Sequence, residues 1–323
     1  MSTLRKLSLC TLVALFLLVV PTIFAQETFG LSEGDYALFT TANATSIDAE
    51  SLGFDFTATF ALTGVGADVS ANLSGSGVIG GTEDAPLFDL VVTGEVVADG
   101  ETTPADLQLR LIADTIYINL GGTGWQGGLV EDMMSQFSSG FASGLGGALP
   151  VDPESLASGD LSGLAGMEGM GEAMAALASI DPAEFVSISN LGDDGGLTHF
   201  QVNFAVADFL GSPAMSSMLA ASMMGSGMPA GVEMPAEQLE QMGAMMAMMF
   251  SGATFTFDQW IDEATSLVNR AMLDINFPIP DMSGTGTGSA SVLLNFDISL
   301  SGFGEPVTVE APEGATMMPS SGG

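Results

Sequence analysis

Phe54-Asp55-Phe56-Thr57-Ala58-Thr59-Phe60-Ala61-Leu62 is the stretch that decides the fold. Apolar side chains at 54, 56, 58, 60 and 62 alternate with Asp55, Thr57, Thr59 and the small Ala61. That period of two belongs to a strand with one face buried and the other in water. The pattern recurs along the chain. Val69, Ala71 and Leu73 oppose Ser70, Asn72 and Ser74; Leu107, Leu109 and Leu111 oppose Gln108 and Arg110; Ile116, Ile118 and Leu120 oppose Thr115, Tyr117 and Asn119. It returns late in Phe200, Val202, Phe204 and Val206, in Leu273, Ile275 and Phe277, and in Val292, Leu294, Phe296, Ile298 and Leu300. Turn-forming residues at 63–66, 80–86 and 99–104 separate the early strands. Parallel pairing would need a helical crossover between successive strands, and most have none, so a large antiparallel sheet with one buried face is expected.

Between the two strand blocks Gly, Ala, Ser and Met dominate, near 131–180 and again at 211–252. Met133, Met134, Phe137, Phe141 and Leu145 recur at helical spacing, as do Leu239, Met242, Met245, Met246 and Met249, with Glu237 and Glu240 on the other side. These two segments are read as helical lids. A further helix is expected at 34–46, ahead of the first strand.

The N-terminus carries Arg5 and Lys6, then an uncharged run from Leu7 to Val20 and a short exit ending at Ala25. The run falls short of the about 20 apolar residues that span a bilayer, so residues 1–25 are expected to be a cleaved export signal rather than a retained anchor. The only cysteine, Cys10, lies within it. No thiol is then left for a disulfide, a zinc site or a nucleophile. The expected organisation is a signal at 1–25, a linker at 26–34, one domain at 35–312 and a flexible tail at 313–323.

Beyond Lys6 the cations are Arg110 and Arg270, against thirty-nine acidic residues. Nucleic acid is excluded as a partner, because a phosphate backbone needs clustered Lys and Arg whose binding releases its counterions. So much unpaired charge also points to a salt-rich or cation-rich setting, where screening tolerates self-repulsion.

Sites of chemistry are scarce. Gly75, Gly77 and Gly80, and again Gly122, Gly124 and Gly127, match the dinucleotide fingerprint G-x-G-x-x-G, but in an antiparallel block rich in glycine the match is attributed to chance. His199 is the single histidine, which rules out a paired-histidine metal site, and it is read as a surface or edge residue. No catalytic residue, metal or cofactor is assigned, and the protein is read as a non-enzyme. The methionines could present thioethers to Cu(I), yet no His or Cys assists them. Unbranched Met lining a surface for apolar ligands of varied shape is the preferred reading. Asn43 and Asn72 stand in N-x-[ST] sequons, which matter only in a glycosylating host.

Phe257-Asp258-Gln259-Trp260-Ile261-Asp262-Glu263-Ala264-Thr265-Ser266-Leu267-Val268-Asn269-Arg270 resembles the W-I-D-x-x-T-x-L-x-x-R strand, turn and strand of the LppX and LprG lipoproteins, the LppX/LprAFG type within the LolA-like superfamily. Gly302-Phe303-Gly304-Glu305-Pro306-Val307-Thr308-Val309 through Pro312 is similar to the close of that family, and Asp114 to Ile118 through Trp125 to its Y-V-x-L and W hairpin. The resemblance, spanning residues 35–312, implies an α+β fold: a large curved antiparallel sheet, or half-barrel, with helices covering its concave face and enclosing an apolar cavity for lipid or glycolipid acyl chains. The family's lipobox cysteine is missing, Gln26 standing in its place.

Taken with the Met-rich segments, this implies a monomeric, exported binding protein of the cell envelope or extracellular space. Its ligand is expected to be a lipid or other apolar small molecule, with a transient envelope partner for delivery. Trp125, Met133, Met134, Phe137, Met242, Met245, Met246 and Met249 are the candidate cavity-lining residues. The rival readings are a surface structural or adhesion protein with a solid core and, behind it, a Met-rich Cu(I) binder.

Overall fold

The computed structural model describes residues 28–64, 68–82, 84–130, 132, 181–212, 215, 236–279 and 290–318. The expected signal at 1–25 lies outside them, as do most of the first lid segment and residues 216–235 of the second. The described chain opens with α1 (Glu33–Ile47) and continues through β1 (Leu52–Thr63), β2 (Val69–Thr82), β3 (Ala85–Ala98), β4 (Glu101–Ile112), β5 (Thr115–Leu120) and β6 (Gln126–Leu129). Then follow β7 (Val186–Asp194), β8 (Leu197–Phe204), α2 (Val206–Gly211), α3 (Ala236–Met249), β9 (Thr254–Asp262), β10 (Leu267–Ile279), β11 (Ala290–Ser301) and β12 (Thr316–Met317).

All twelve strands form one sheet in the order β12-β6-β5-β4-β3-β2-β1-β11-β10-β9-β8-β7, antiparallel except where β12 pairs parallel with β6. The fold is α+β, a curved open half-barrel with few helices among the described residues. The two strand blocks are joined side by side through β1 and β11, whose register puts Phe54 opposite Leu300 and Phe60 opposite Leu294. β6 and β7 therefore lie towards opposite edges of the sheet, and residues 130–185 connect one to the other.

α1 begins where Ser32 Oγ accepts the amide hydrogen of Asp35 at 3.2 Å, and Glu33 and Asp35 set negative charge against the helix N-terminus. Two of its polar residues, Asn43 and Ser46, face inward. Asn43 and Gln259 exchange hydrogen bonds of 3.1 and 2.9 Å between side-chain amides, both residues being buried. Asn43 Nδ2 also donates to the Phe39 carbonyl at 2.8 Å, and Ser46 Oγ accepts the Val268 N–H at 2.9 Å. With Phe39 edge-on to Phe200 at 5.5 Å, these bonds seat the helix on β8, β9 and β10. Asn43, as a sequon residue, is enclosed in the folded protein, whereas Asn72 is exposed.

Several expectations change. Residues 29–34 are not a linker: Phe29 and Leu31 are buried in the core, and the Phe29 carbonyl accepts the Ile188 N–H of edge strand β7. The tail at 313–318 is tied down, since Thr316 N–H and Met318 N–H donate to the carbonyls of Trp125 and Gly127 and cover the edge of β6. Pro104 lies inside β4 rather than in a turn. β5 pairs with β4 only from Leu107 onward, so the missing N–H of Pro104 leaves no ladder bond unmade on that side. Val206 starts α2 instead of extending β8, because the chain turns there to pack Phe209 on Phe204 and Phe185.

Candidate functional site

The sheet's two faces are chemically distinct. One carries the apolar set of every long strand: Phe54 to Leu62 at even positions on β1, Leu107 to Leu111 at odd positions on β4, and Leu273 to Phe277 at odd positions on β10. The other carries Asp, Asn, Ser and Thr together with Arg110 and Arg270.

Packing divides the apolar face along the strand direction. At one end Phe54, Phe88, Leu111, Phe257, Leu273 and Leu300 are buried, and α1 lies over the strands beside them. Here Gly75 and Gly77 of β2 let the rings of Phe56 and Phe54 lie flat on the backbone, where an added Cβ would come within 2.5 Å of each ring. The rings continue as a ladder, with Phe54 stacked on Phe88 at 6.1 Å and Phe56 on Phe296 at 5.5 Å. Towards the other end Ala58, Phe60, Leu62, Leu73, Leu107 and Leu294 are only half-buried. The main helix-on-sheet packing among the described residues is that of α1 on β10, away from β2, β3 and β4. The strands therefore present hydrocarbon that the described helices leave incompletely covered.

α2 and α3 stand beside this open end. Their backbones approach at Gly211, where a Cβ would meet that of Ala247 at 2.9 Å. Phe209 packs on Phe204 at 5.2 Å and Phe250 on Phe277 at 4.6 Å, so the pair is fixed to β8 and β10.

The candidate residues fall in different places. Met133, Met134 and Phe137 lie outside the described residues. Met242 and Met246 belong to α3, whose backbone alone is described at those positions; Met249 is half-buried and Met245 is 55% exposed. Trp125 is placed on the other face of the sheet from the apolar set. It lies against Arg110, whose guanidinium carbon is 5.1 Å from the ring centroid, and Arg110 projects from the polar face towards Asp89.

The polar face holds a cluster that the sequence pattern did not reveal. Trp260 on β9 is flanked by His199 on β8, stacked at 4.3 Å and 11°, and by Arg270 on β10, at 4.3 Å. Trp260 Nε1 donates to Asp194 at 2.8 Å. His199 Nε2 lies 2.7 Å from Asp258 Oδ1, which also accepts from Gln201 Nε2 at 3.0 Å. Arg270 makes two hydrogen bonds to Asp297, of 2.9 and 2.6 Å, and these hold its guanidinium pKa above the ordinary arginine value. His199 is thus neither on an edge strand nor exposed, since β8 lies between β7 and β9 and its ring is covered by tryptophan. Only the register places residues 199, 260 and 270 side by side, and no spacing in the sequence encodes it. Among the described residues no three His, Asp or Glu side chains converge as a metal site, and no helix is long and apolar enough to cross a membrane.

No family model matches the chain, and no curated protein matches it by sequence. Among solved structures it is similar to LprF from Mycobacterium bovis, at 14% identity over 86% of this chain and 95% of that one, with a TM-score of 0.32. It is also similar to lipovitellin, from a structure of lipid–protein interactions, at 9% identity and a TM-score of 0.27 over 82% of this chain and 26% of that one. A beta-barrel-like protein of unknown function from Brucella abortus matches at 7% identity and a TM-score of 0.16, over 77% of this chain and 98% of that one.

Proposed function

We propose that the protein is an exported, non-enzymatic carrier that holds the acyl chains of a lipid against the open end of its apolar sheet face. The observation that carries this reading is the half-buried hydrocarbon of Ala58, Phe60, Leu62, Leu73, Leu107 and Leu294, continuous with a packed core yet left incompletely covered by the described helices. From Ala58 to Leu62 the open end of the strand extends about 13 Å at ~3.3 Å per residue, just short of the ~15 Å of one leaflet of a bilayer core. The face is therefore long enough for most of an acyl chain laid along it.

Hydrocarbon burial supplies the affinity. At about 0.8 kcal/mol per methylene, a chain of about sixteen gives ~13 kcal/mol gross, against an association cost of about 4–15 kcal/mol. Binding then depends on covering most of the chain, as Met-rich segments beside an open sheet would allow. Export follows from the N-terminal segment, and residues 131–180 and 211–252 remain the proposed lids. Organic extraction of the natively purified protein, followed by lipid mass spectrometry, tests the reading. Stoichiometric lipid is expected; a clean blank together with no uptake of a fluorescent acyl probe would overturn it.

A further inference from the structure

Resting on the carrier reading above, we infer that the ligand's head group bears no negative charge, so that the protein takes neutral acyl lipids and discriminates against anionic ones. Beyond Lys6, the side chains of the sequence that can carry positive charge are those of Arg110, Arg270 and His199. All three project from the polar face, opposite the apolar one, as their pairing partners fix. Arg110 on β4 faces Asp89 and Tyr117; Arg270 faces Trp260 on one neighbouring strand and Asp297 on the other; His199 stacks on the same Trp260.

Each is also already engaged. Arg110 Nε lies 3.1 Å from Asp89 Oδ2, an ionic contact in which the Nε–H is not aimed at the oxygen, while Nη1 donates to the Glu310 carbonyl at 3.0 Å. Arg270 is bound at two points by Asp297, and His199 Nε2 lies 2.7 Å from Asp258. A phosphate, sulfate or carboxylate head group consequently has no cation to meet at the apolar face, and none could be spared without stripping an aspartate of its partner.

Among the described residues, the backbone donors of the two longer helices do not supply the deficit. The N-terminus of α1 is met by Ser32 and bordered by Glu33 and Asp35, and Glu237 stands in the first turn of α3. The N-termini of these two helices are thus satisfied or bordered by the chain's own acids. With a formal charge of −35, an anionic lipid also approaches against the field of the whole molecule, whereas a neutral one does not.

The test uses the full chain loaded with a pyrene-labelled fatty alcohol and displaced by dioleoylglycerol or by dioleoylphosphatidic acid, which share the same hydrocarbon. At about 10 mM ionic strength, where the Debye length is about 30 Å, dioleoylglycerol is expected to displace the probe at about tenfold lower concentration, and the ratio should shrink towards one in about 1 M salt. Ala98→Lys, at the exposed rim of the apolar face opposite Val69, is expected to narrow the low-salt ratio several-fold. Equal or tighter displacement by phosphatidic acid at low salt overturns the inference and leaves the carrier reading standing. Failure of the protein to take up the neutral probe at all overturns both.

Discussion

Replacing Asn43 by Leu offers a sharp test of how the first helix is held to the sheet. The substitution removes the two reciprocal amide bonds to Gln259 and the bond to the Phe39 carbonyl, and it leaves Gln259, which is 1% exposed, with an amide nitrogen and an oxygen that water cannot reach. An orphaned buried polar group costs about 1–3 kcal/mol, so two of them put the loss near 3 kcal/mol. Gln259→Met orphans only the Asn43 side-chain oxygen, because Nδ2 keeps its bond to the Phe39 carbonyl, and should cost about 2 kcal/mol. The double variant removes both partners and replaces them with apolar groups of similar shape, a change that is close to neutral in such pairs. Its loss is expected to be about 1 kcal/mol, a coupling of several kcal/mol in the double-mutant cycle. Urea denaturation followed by far-ultraviolet circular dichroism reads all four proteins. If the double variant is as unstable as the sum of the singles, the amide pair is not what seats the helix and the reasoning fails.

The aromatic ladder predicts the depth of the site. Phe56→Ala removes the ring that lies on Gly75 and stacks on Phe296, and it should both destabilise the fold by about 3 kcal/mol and shift the preferred acyl length upward by several carbons in native mass spectrometry. An unchanged length profile would show that the packed end does not limit the ligand. Arg270→Leu leaves Asp297 without its bidentate partner and uncovers one face of Trp260, so stability should drop by about 1–2 kcal/mol, with a changed tryptophan emission. The pair is part-exposed, which keeps the figure below that of a fully buried ion pair. With thirty-nine acids against four Lys and Arg in the whole sequence, the urea midpoint should rise from millimolar to molar sodium chloride, and a flat response would contradict dominant self-repulsion.

Strands with one wet face were legible because their periodicity is local: Phe54 to Leu62 announces β1 without knowledge of any neighbour. Short or small-residue strands were not. β6 reads Gln-Gly-Gly-Leu, and it exists because β5 and the returning C-terminal residues pair with it from either side. Pro104 looked like a turn until the register showed that β5 ends before reaching it. The burial of Phe29 and Leu31 was obscured by their closeness to the apolar N-terminal run and the linker expected after it. As for the site, the apolar face was visible in the alternation, but which end of it is packed depends on how Gly75 and Gly77 meet Phe56 and Phe54 across strands. Trp125 is expected in the cavity from the hairpin that resembles the family's, taken with the Met-rich segments. The strand parity that sends it to the polar face with Arg110 appears only once the β5 to β6 pairing is known. The same holds for His199, whose tryptophan and aspartate lie about sixty residues away in sequence.

The central claim is that hydrocarbon lies along the open end of the apolar face. A neutral diacylglycerol carrying a diazirine within one acyl chain, bound to the full chain, photolysed and mapped by peptide mass spectrometry, tests it most directly. Label is expected on Ala58, Phe60 and Leu62 of β1, Leu73 of β2 and Leu294 of β11, which share that face by register. Label confined to the polar face, around Asp55, Thr57 and Asn72, or none above the unbound control, would contradict it.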